Sequence, residues 1–445
     1  MRRSRFLSVI ALISMVVALA ACGSNKSKGE TASSPSATQS ATTTTETGLK
    51  GELVYWSMWN ENETQATVIK EAISAFEAEN KDVKIKVQWN GRDNGKLIKP
   101  ALDAGQQVDI FDSDNNSLSG FESYALKLDD YMTKAYASTN GKALKDALAP
   151  VFYNAMQVAA TDGTSVYGMP YQPYMYLIPY NKALFAKAGI TAAPQTWAEF
   201  MEACEKLKVA GITPLTVDDA YMGVSRMYHF SRYLGQEGVA KLVKDKTGAE
   251  WDNPTVLKAA KDIEELASKG YISKQVATNK FPAGQIEFAN GSAAMYFGNG
   301  TWLPNEVATV VPADFQWGEF AFPAVDGGVQ GREAAIYGTQ CLVINNKSNA
   351  PDAAVAFAAS LVTGKFDSEL SKQTKGIAMG TDSTWAPELA DAKAVFAEVT
   401  TQLTKGGGWD EDADKNAVVG ANYIKLVTGK ITAEEFVNNC KNNVK

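Results

Sequence analysis

The sequence predicts an α/β fold, and two observations support this prediction. Between residues 51 and 111, short apolar strand patterns alternate with helical patterns in the order strand, helix, strand, helix, strand. Strands that alternate with helices form βαβ units, in which the strands pair in parallel and the helices cover the sheet. Three prolines within residues 170–181 exclude helix and indicate an extended, stiff stretch of chain, and a further proline-bearing segment follows at 320–324.

The first elements follow from the spacing of apolar residues. Residues 51–56 form a short apolar strand, and apolar spacings of three and four from Ala66 to Phe76 predict a helix. Residues 83–87 alternate strictly between apolar and polar, and residues 108–111 are again strand-like. Ligands of parallel sheets bind beyond the carboxyl ends of the strands. The segments predicted to lie there are Trp56 to Asn60, Trp89 to Asn94 and Asp112 to Asn116.

The later elements carry helix signals and further strand patterns. An amphipathic helix is predicted over 182–188, directly after the extended segment, and Gly189 ends it. Thr196 suits the N-cap of the next helix, because Glu199 follows three residues on as in a capping box. Residues 214–217 and 341–344 are strand-like, and helical patterns fill much of the remaining chain.

Residues 1–22 are typical of an export signal. Three arginines precede an apolar stretch that is shorter than the roughly 20 residues needed to span a bilayer. The stretch ends in LAACG, which resembles a bacterial lipobox. We therefore predict a lipoprotein signal peptide over 1–21 and lipidation of Cys22; the alternative is an ordinary signal peptide with an incidental cysteine. The Ser/Thr-rich residues 22–48 predict a disordered tether, and hence an extracytoplasmic protein anchored by lipid to the cell membrane of a Gram-positive bacterium.

Charge and motif content exclude several classes of protein. The net formal charge of the 445-residue chain is −7, which disfavours binding to nucleic acid. His229 is the only histidine, so a histidine-cluster metal site is excluded, and we expect His229 to be a packed or ligand-edge residue. Neither a GxGxxG motif after a strand nor a GxxxxGK[ST] motif occurs. We therefore expect no metal and no cofactor.

Acidic pairs raise the question of glycoside hydrolysis. Asp109, Asp112 and Asp114 are near one another, and a retaining pair of carboxyl groups is only about 5 Å apart. Such pairs arise by chance in a chain with 50 acidic residues, and the eight βα repeats of a barrel hydrolase cannot be counted. We predict that the protein is not an enzyme. Three further cysteines are predicted to be isolated buried thiols, with a disulfide between the first and the last as the alternative: Cys204, Cys341 and Cys440.

Several short stretches carry a resemblance to a known family. They are YNKALFAKAGI at 180–190 with PQTWAEF at 194–200, FANGSAAM at 288–295 with GTW at 300–302, FPA at 322–324 with a Gly-Gly pair at 327–328, and GKITAEE at 429–435. In this order the stretches resemble family 1 extracellular solute-binding proteins. These are the carbohydrate receptors of ABC importers, related to maltodextrin-binding proteins, and the resemblance spans about residues 50–440.

The resemblance implies a two-lobed fold of the periplasmic-binding-protein type, a Venus flytrap that closes on its ligand about a hinge. Each lobe is then assembled from discontinuous segments. By analogy the chain crosses between lobes near 172–175, 320–322 and 363–365. The expected N-terminal lobe comprises 49–172 and 323–364, and the expected C-terminal lobe comprises 173–322 and 365–445.

The chemistry of sugar binding selects the candidate site residues. Pyranose C–H faces pack on flat aromatic side chains, while sugar hydroxyls need fixed hydrogen-bond donors and acceptors. Nine tryptophans and seventeen tyrosines are present, and the family resemblance places Trp302 and Tyr174 where ligand is met. The alternatives are packing at a core edge for each tryptophan and an ordinary loop for the polar residues. The candidate ligand-binding residues are Trp302, Trp59, Asn60, Asp112, Asn115, Tyr174, Asp219, Tyr337, Trp385 and Trp409.

The family resemblance implies the substrate-binding component of an ABC importer. We expect a monomer that captures a sugar, an oligosaccharide in particular, between its lobes and delivers it to the transmembrane permease subunits. Two alternatives remain open at this point. One is a surface adhesion or scaffold lipoprotein that uses the same aromatic residues to bind a partner, and the other is a receptor for a non-sugar solute such as a polyamine.

Overall fold

The computed structural model describes residues 48–404 and 406–443. The predicted signal peptide, the predicted lipidation site Cys22 and the predicted tether up to residue 47 lie outside the described residues. Within these described ranges, no helix has the length and apolar character needed to cross a membrane. The strands are β1 (Gly51–Ser57), β2 (Val83–Trp89), β3 (Ile110–Asp114), β4 (Met169–Met175), β5 (Ile178–Asn181), β6 (Thr213–Thr216), β7 (Ala293–Tyr296), β8 (Trp317–Phe320), β9 (Ala334–Ile344) and β10 (Thr401–Leu403).

The helices lie between and after these strands. They are α1 (Thr64–Glu79), α2 (Asn94–Asp103), α3 (Asp129–Met132), α4 (Leu144–Ala147), α5 (Pro150–Val158), α6 (Lys182–Lys187), α7 (Trp197–Val209), α8 (Met222–Lys244), α9 (Pro254–Ser268), α10 (Ala283–Ala289), α11 (Leu303–Glu306), α12 (Pro351–Val362), α13 (Gly364–Thr374), α14 (Ala390–Glu398), α15 (Ala413–Val427) and α16 (Ala433–Asn443). The predicted capping box at the start of α7 is present, with the Thr196 hydroxyl accepting the N–H of Glu199.

Two separate sheets organise the chain. The first has the order β10-β9-β3-β1-β2, with β4 also paired to β9. In it β1 pairs in parallel with both β2 and β3, which confirms the βαβ arrangement predicted from the alternating pattern. The second sheet has the order β6-β7-β5-β8, and β6 and β7 are parallel. The α/β fold class is therefore confirmed, and each sheet forms the centre of one lobe.

Each lobe has its own apolar core. In the first lobe, β1, β3, β4 and β9 pack with α1, α2, α5 and α12. In the second lobe, β5 to β8 pack with α7, α8, α9, α15 and α16. The chain first crosses between the lobes at Tyr176 and Leu177, between β4 and β5, and crosses back between β8 and β9. The first crossing lies next to the expected segment 172–175. Phe322, Val325 and Ile336 still belong to the second core, so the chain returns to the first lobe later than the expected segment 320–322.

The third crossing lies later in the chain than the expected boundary after residue 364. Leu370 of α13, Met379 and Val395 of α14 belong to the first core, whereas Leu403 and the residues after it belong to the second. The reason is that α13 packs back against α1 and directs its apolar side chains into the first core. The described segment from 365 to about 399 thus packs with the first lobe, not with the second as the sequence-based boundary assumed.

Helix α8 holds both crossings from the side of the second lobe. The hydroxyl of Tyr228 donates to the carbonyl of Tyr176 at 2.7 Å and accepts the N–H of Ile336 at 2.7 Å. One turn further on, the buried Arg232 guanidinium donates to two carbonyls of the second crossing, at 2.9 and 3.1 Å. These buried hydrogen bonds fix the position of α8 relative to the hinge.

The single histidine and the three cysteines of the described residues have packing roles. His229 is buried on α8, with its ring 4.2 Å from that of Trp197 and its Nε2 3.1 Å from a carboxylate oxygen of Asp262. It is therefore a packed residue of the second core. The three cysteines of the body are free and buried, so the alternative disulfide is not formed: Cys204, Cys341 and Cys440.

Candidate functional site

The carboxyl ends of strands from both lobes meet beside the first crossing. β3 and β4 both run antiparallel to β9, so their carboxyl ends point in the same direction. β4 continues through Tyr176 into β5, and β5 runs antiparallel to β7. The carboxyl end of β7 therefore lies beside the start of β5. We call the space between these strand ends the interlobe cleft.

Aromatic side chains of both lobes form the base of the cleft. The ring of Tyr174, on β4, lies 5.2 Å from that of Trp302 in an edge-to-face contact and 5.3 Å from that of Tyr176. Trp302 follows β7 in the second lobe, so its contact with Tyr174 joins the lobes. The ring of Tyr176 lies 6.4 Å from that of Tyr221, which follows β6. Trp302, Tyr176 and Tyr221 are partly exposed and offer flat surface to a ligand.

A strained turn fixes Trp302 against the crossing. Gly298, Asn299 and Gly300 all have positive φ, at 151°, 68° and 72°. A Cβ on Gly300 would lie 2.3 Å from the carbonyl oxygen of Met175, so only glycine permits this close approach. Thr301 adds a hydrogen bond from its N–H to the same carbonyl at 3.1 Å. The position of Trp302 is thus set by the hinge strand itself.

Glu306 connects the aromatic residues of the second lobe. Its carboxylate accepts hydrogen bonds from Tyr221 Oη at 2.9 Å, from Asn299 Nδ2 at 2.5 Å and from the amide of Gln285. Burial raises the pKa of Glu306, although these donors oppose the shift. The carboxylate lies one turn after Trp302, so it ties the Trp302 turn to Tyr221.

Polar groups of the first lobe meet Tyr174 at the cleft. Asn115 follows β3, and its Oδ1 accepts the N–H of Thr339 at 3.0 Å. A Cβ on Gly338 would lie 2.6 Å from Tyr174 Oη and 2.7 Å from Asn115 Oδ1, which shows how closely these two side chains approach β9. Burial raises the pKa of Tyr174. The structure therefore brings together three of the predicted residues: Trp302, Tyr174 and Asn115.

Asp112 supports the strand ends from inside the first lobe. Its carboxylate accepts hydrogen bonds from Tyr55 Oη at 2.7 Å, Ser57 Oγ at 3.0 Å and the N–H of Met58 at 2.8 Å. Burial raises its pKa to about 6. Because the side chain is buried and its oxygens are occupied, Asp112 positions the end of β1 and does not offer the ligand contact predicted from the sequence.

Trp59 also lies in the first core. It is 5 % exposed, donates from Nε1 to the hydroxyl of Tyr171 at 3.1 Å, and has the guanidinium of Arg92 4.7 Å from its ring centre. Its ring is therefore covered, contrary to the prediction that it lines the cleft. The neighbouring Asn60 is exposed after β1 and donates to Glu63 at 3.0 Å, so its side chain is accessible.

Trp409 is fully buried in the second core, with an exposure of 0 %. Its ring lies 5.5 Å from Phe230 and 6.5 Å from Trp251, and the Arg226 guanidinium lies 4.6 Å from the ring centre. The prediction that Trp409 lines the cleft is therefore wrong. Gly407 and Gly408, which precede it, allow the chain to pass close to α8.

Two more predicted residues pack within the first lobe. Tyr337, on β9, is buried with its ring 6.0 Å from that of Phe152. Trp385 is partly buried, with its ring 5.7 Å from that of Phe396. For Tyr337 this burial contradicts the predicted ligand contact, because the strand face that carries its ring points into the core.

A groove of about 670 Å³ lies elsewhere in the second lobe, near the amino ends of β6 and β7. Its lining includes Thr213, Ser292 and Glu287 and contains no aromatic residue. Glu287 is engaged by Asn279 Nδ2 at 3.1 Å and by two hydroxyl groups. This groove lacks the stacking surface of the interlobe cleft, which we therefore take as the candidate site.

Four residues beside the cleft were not among the candidates: Tyr176, Tyr221, Glu306 and Phe281. Tyr176 follows Tyr174 at a spacing of two, the spacing of side chains on one face of a strand, so a local signal was present. Glu306 follows Trp302 by four residues, the spacing of one helical turn. Phe281 is distant in sequence from the other aromatic residues of the site, and no local pattern indicates it.

The two lobes, the three crossings between them and the cleft between strand ends define a hinged binding protein. Residues 59–365 match the model of the family described as bacterial extracellular solute-binding protein. The chain belongs to this family.

Individual relatives agree with the family. The chain is 26 % identical over 385 residues to the diacetylchitobiose binding protein DasA of Streptomyces coelicolor, covering 83 % of this chain and 80 % of that protein. It is 25 % identical over 287 residues to the multiple sugar-binding protein of Streptococcus mutans, covering 63 % and 64 % of the two chains.

Solved structures show the same fold. A chitin oligosaccharide binding protein matches with a TM-score of 0.64 at 21 % identity, over 89 % of this chain and 98 % of that chain. An ABC substrate-binding protein of Listeria monocytogenes, solved with cycloalternan, matches with a TM-score of 0.62 at 18 % identity, over 89 % and 98 %. The two-lobed solute-binding fold predicted by resemblance is thereby confirmed.

Proposed function

We propose that this protein captures an oligosaccharide in the interlobe cleft, delivers it to a membrane permease and catalyses no reaction on it. The contact between Tyr174 of the first lobe and Trp302 of the second carries the proposal. It brings one ring from each lobe to one point, where the indole of Trp302 is partly exposed and the amide of Asn115 lies beside Tyr174. Sugar ligands in the names of relatives, diacetylchitobiose and chitin oligosaccharide, give further support.

Ligand capture follows from the position of this contact at the hinge. A sugar that stacks on Trp302 and meets Asn115 touches both lobes at once. Such a ligand makes more contacts when the lobes are closed than when they are open, so it shifts the hinge equilibrium toward closure. The buried hydrogen bonds of Tyr228 to both crossings keep the axis of this motion fixed while the lobes rotate.

A direct test is a ligand screen with the purified protein. Diacetylchitobiose, longer chitin oligosaccharides, xylo-oligosaccharides, malto-oligosaccharides and stachyose are added separately, with spermidine as a non-sugar cation. A specific sugar present at about 100 times its Kd stabilises the fold by about 2.7 kcal/mol, which a thermal melt detects and calorimetry confirms. Stabilisation by spermidine alone, or by none of the ligands, would contradict the proposal.

We propose further that the protein acts as a monomer, anchored to a Gram-positive cell membrane through Cys22. The tether sequence would hold the lobes near the transmembrane subunits of an importer. The substitution Cys22→Ser removes the thiol that lipidation requires, so the variant should appear in the culture medium. Retention of this variant in the membrane fraction, at the level of wild type, would contradict the anchor.

A further inference from the structure

One aromatic side chain stands apart in its exposure. Phe281 is 50 % exposed, whereas every other phenylalanine, tyrosine and tryptophan among the described residues is buried or partly buried. Exposure of a large aromatic ring costs free energy in the absence of a partner. A ligand that covered this ring would therefore recover that free energy.

Phe281 ends a continuous row of rings that starts at Trp302. The successive distances between ring centres are 5.2, 5.3, 6.4 and 6.2 Å. We call this set the aromatic row: Trp302, Tyr174, Tyr176, Tyr221 and Phe281. The row runs from the crossing between the lobes, where its rings are most buried, to an open end in the second lobe.

The open end of the row is held in place. Asp219 accepts the N–H of Phe281 at 2.9 Å and the ammonium of Lys280 at 2.8 Å. The N–H of Asp219 in turn donates to the carbonyl of Asn279 at 3.2 Å. Asp219, predicted from the sequence to contact ligand directly, thus acts in the structure by fixing the segment that carries Phe281. A backbone segment fixed in this way loses little conformational entropy when a ligand covers the ring that it carries.

We propose that Phe281 is the outer stacking platform for long oligosaccharides and sets the preferred chain length of the ligand. This inference rests on the proposed function. A short sugar is held at Trp302 and Tyr174 and does not reach Phe281. A longer chain follows the row past Tyr221 and covers the exposed ring with one of its outer sugar units.

The test measures affinity as a function of ligand length. Calorimetry is performed with the disaccharide, tetrasaccharide and hexasaccharide of the chitin, xylan and maltose series. Phe281→Ala should weaken the longest ligand of a binding series by about tenfold, the effect of one lost aromatic stack. The Phe281→Ala variant should keep its affinity for the shortest bound ligand within about twofold of the wild-type value. The Phe281→Tyr variant should bind the longest ligand with an affinity close to that of wild type.

Ile286→Ala is the matched control. Ile286 is 41 % exposed and lies on α10, five residues after Phe281, but it lines the groove near the amino ends of β6 and β7. This variant should bind every length as wild type does. Thermal melts of all variants confirm that they are folded.

The outcomes separate this inference from the proposed function. If wild type binds a series and Phe281→Ala weakens every length equally, or none, the length inference is overturned while the proposed function stands. If wild type binds no member of the three series, the proposed function is contradicted for these sugars and the inference falls with it. If the loss of affinity in Phe281→Ala grows with ligand length and is absent in Phe281→Tyr, the result supports both the length inference and the proposed function.

Discussion

Substitution of Trp302 by alanine removes the stacking surface at the centre of the proposed site. The indole is partly exposed, one edge contact is made to Tyr174, and the turn before it is fixed by the hinge strand. If a sugar ring covers about 80–100 Å² of the indole, a coefficient of about 25 cal/mol per Å² gives about 2–2.5 kcal/mol. The affinity should therefore fall about thirty- to seventyfold.

The assay is calorimetric titration of wild type and Trp302→Ala with the sugar identified by the ligand screen. Trp317→Ala is the matched control, because Trp317 is also a partly exposed tryptophan of the second lobe. It packs 4.8 Å from Phe315, at the end of β8 that lies away from the crossing. The control should lose stability but keep its affinity within about twofold.

Two results would refute the reasoning about Trp302. In one, Trp302→Ala binds all sugars as tightly as wild type, which would place the ligand elsewhere. In the other, Trp317→Ala loses as much affinity as Trp302→Ala, which would indicate a general effect of destabilising the second lobe. Melting curves recorded beside the titrations distinguish loss of folding from loss of binding.

Three further predictions concern the hinge and the fold. Gly300→Ala places a methyl group against the carbonyl of Met175. Chemical unfolding should show a free energy of unfolding lower by about 1–3 kcal/mol, and calorimetry should show a weaker affinity for the sugar. Unchanged stability and affinity would contradict the role of this turn. Arg232→Met removes the guanidinium that donates to the buried carbonyls of Ala334 and Phe322. The free energy of unfolding should fall by about 2–4 kcal/mol. A variant as stable as wild type would contradict this role of Arg232. Burial raises the pKa of Asp367 to about 6, above an unfolded value of about 4, so its contribution to stability is present below pH 4 and lost as the pH rises through 6. The stability difference between wild type and Asp367→Asn in urea unfolding should therefore decrease by an amount on the order of 2–3 kcal/mol from pH 4 to pH 6, and a constant difference would contradict this.

The fold could be read from the sequence because it depends on local periodicity. The alternation of strand and helix patterns between residues 51 and 111 gave the parallel sheet, and Thr196 with Glu199 gave the start of α7. The boundary of the third crossing could not be read in this way. Whether Leu370 packs in one core or the other depends on where α13 folds back, and the sequence near it is compatible with both.

The candidate site was predicted in part, and the reason differs between residues. Asn115 follows a strand that the sequence predicts, so its place at the cleft follows from strand order, whereas Trp302 was placed there by the family resemblance. Trp409 has the same local appearance, a tryptophan after glycines, but Phe230 and Trp251 enclose it. Long-range packing of this kind is not encoded in a local pattern. The same limit applies to the row that ends at Phe281, which is assembled from four separate parts of the chain.

The most direct test of the central claim is small-angle X-ray scattering of the wild-type protein with and without its sugar. A ligand that stacks on Trp302 and contacts Asn115 should draw the lobes together, so the radius of gyration should decrease at saturation. Trp302→Ala at the same sugar concentration should retain the larger, ligand-free value. Tight binding measured by calorimetry with no change in the wild-type radius of gyration would contradict capture by closure of the two lobes.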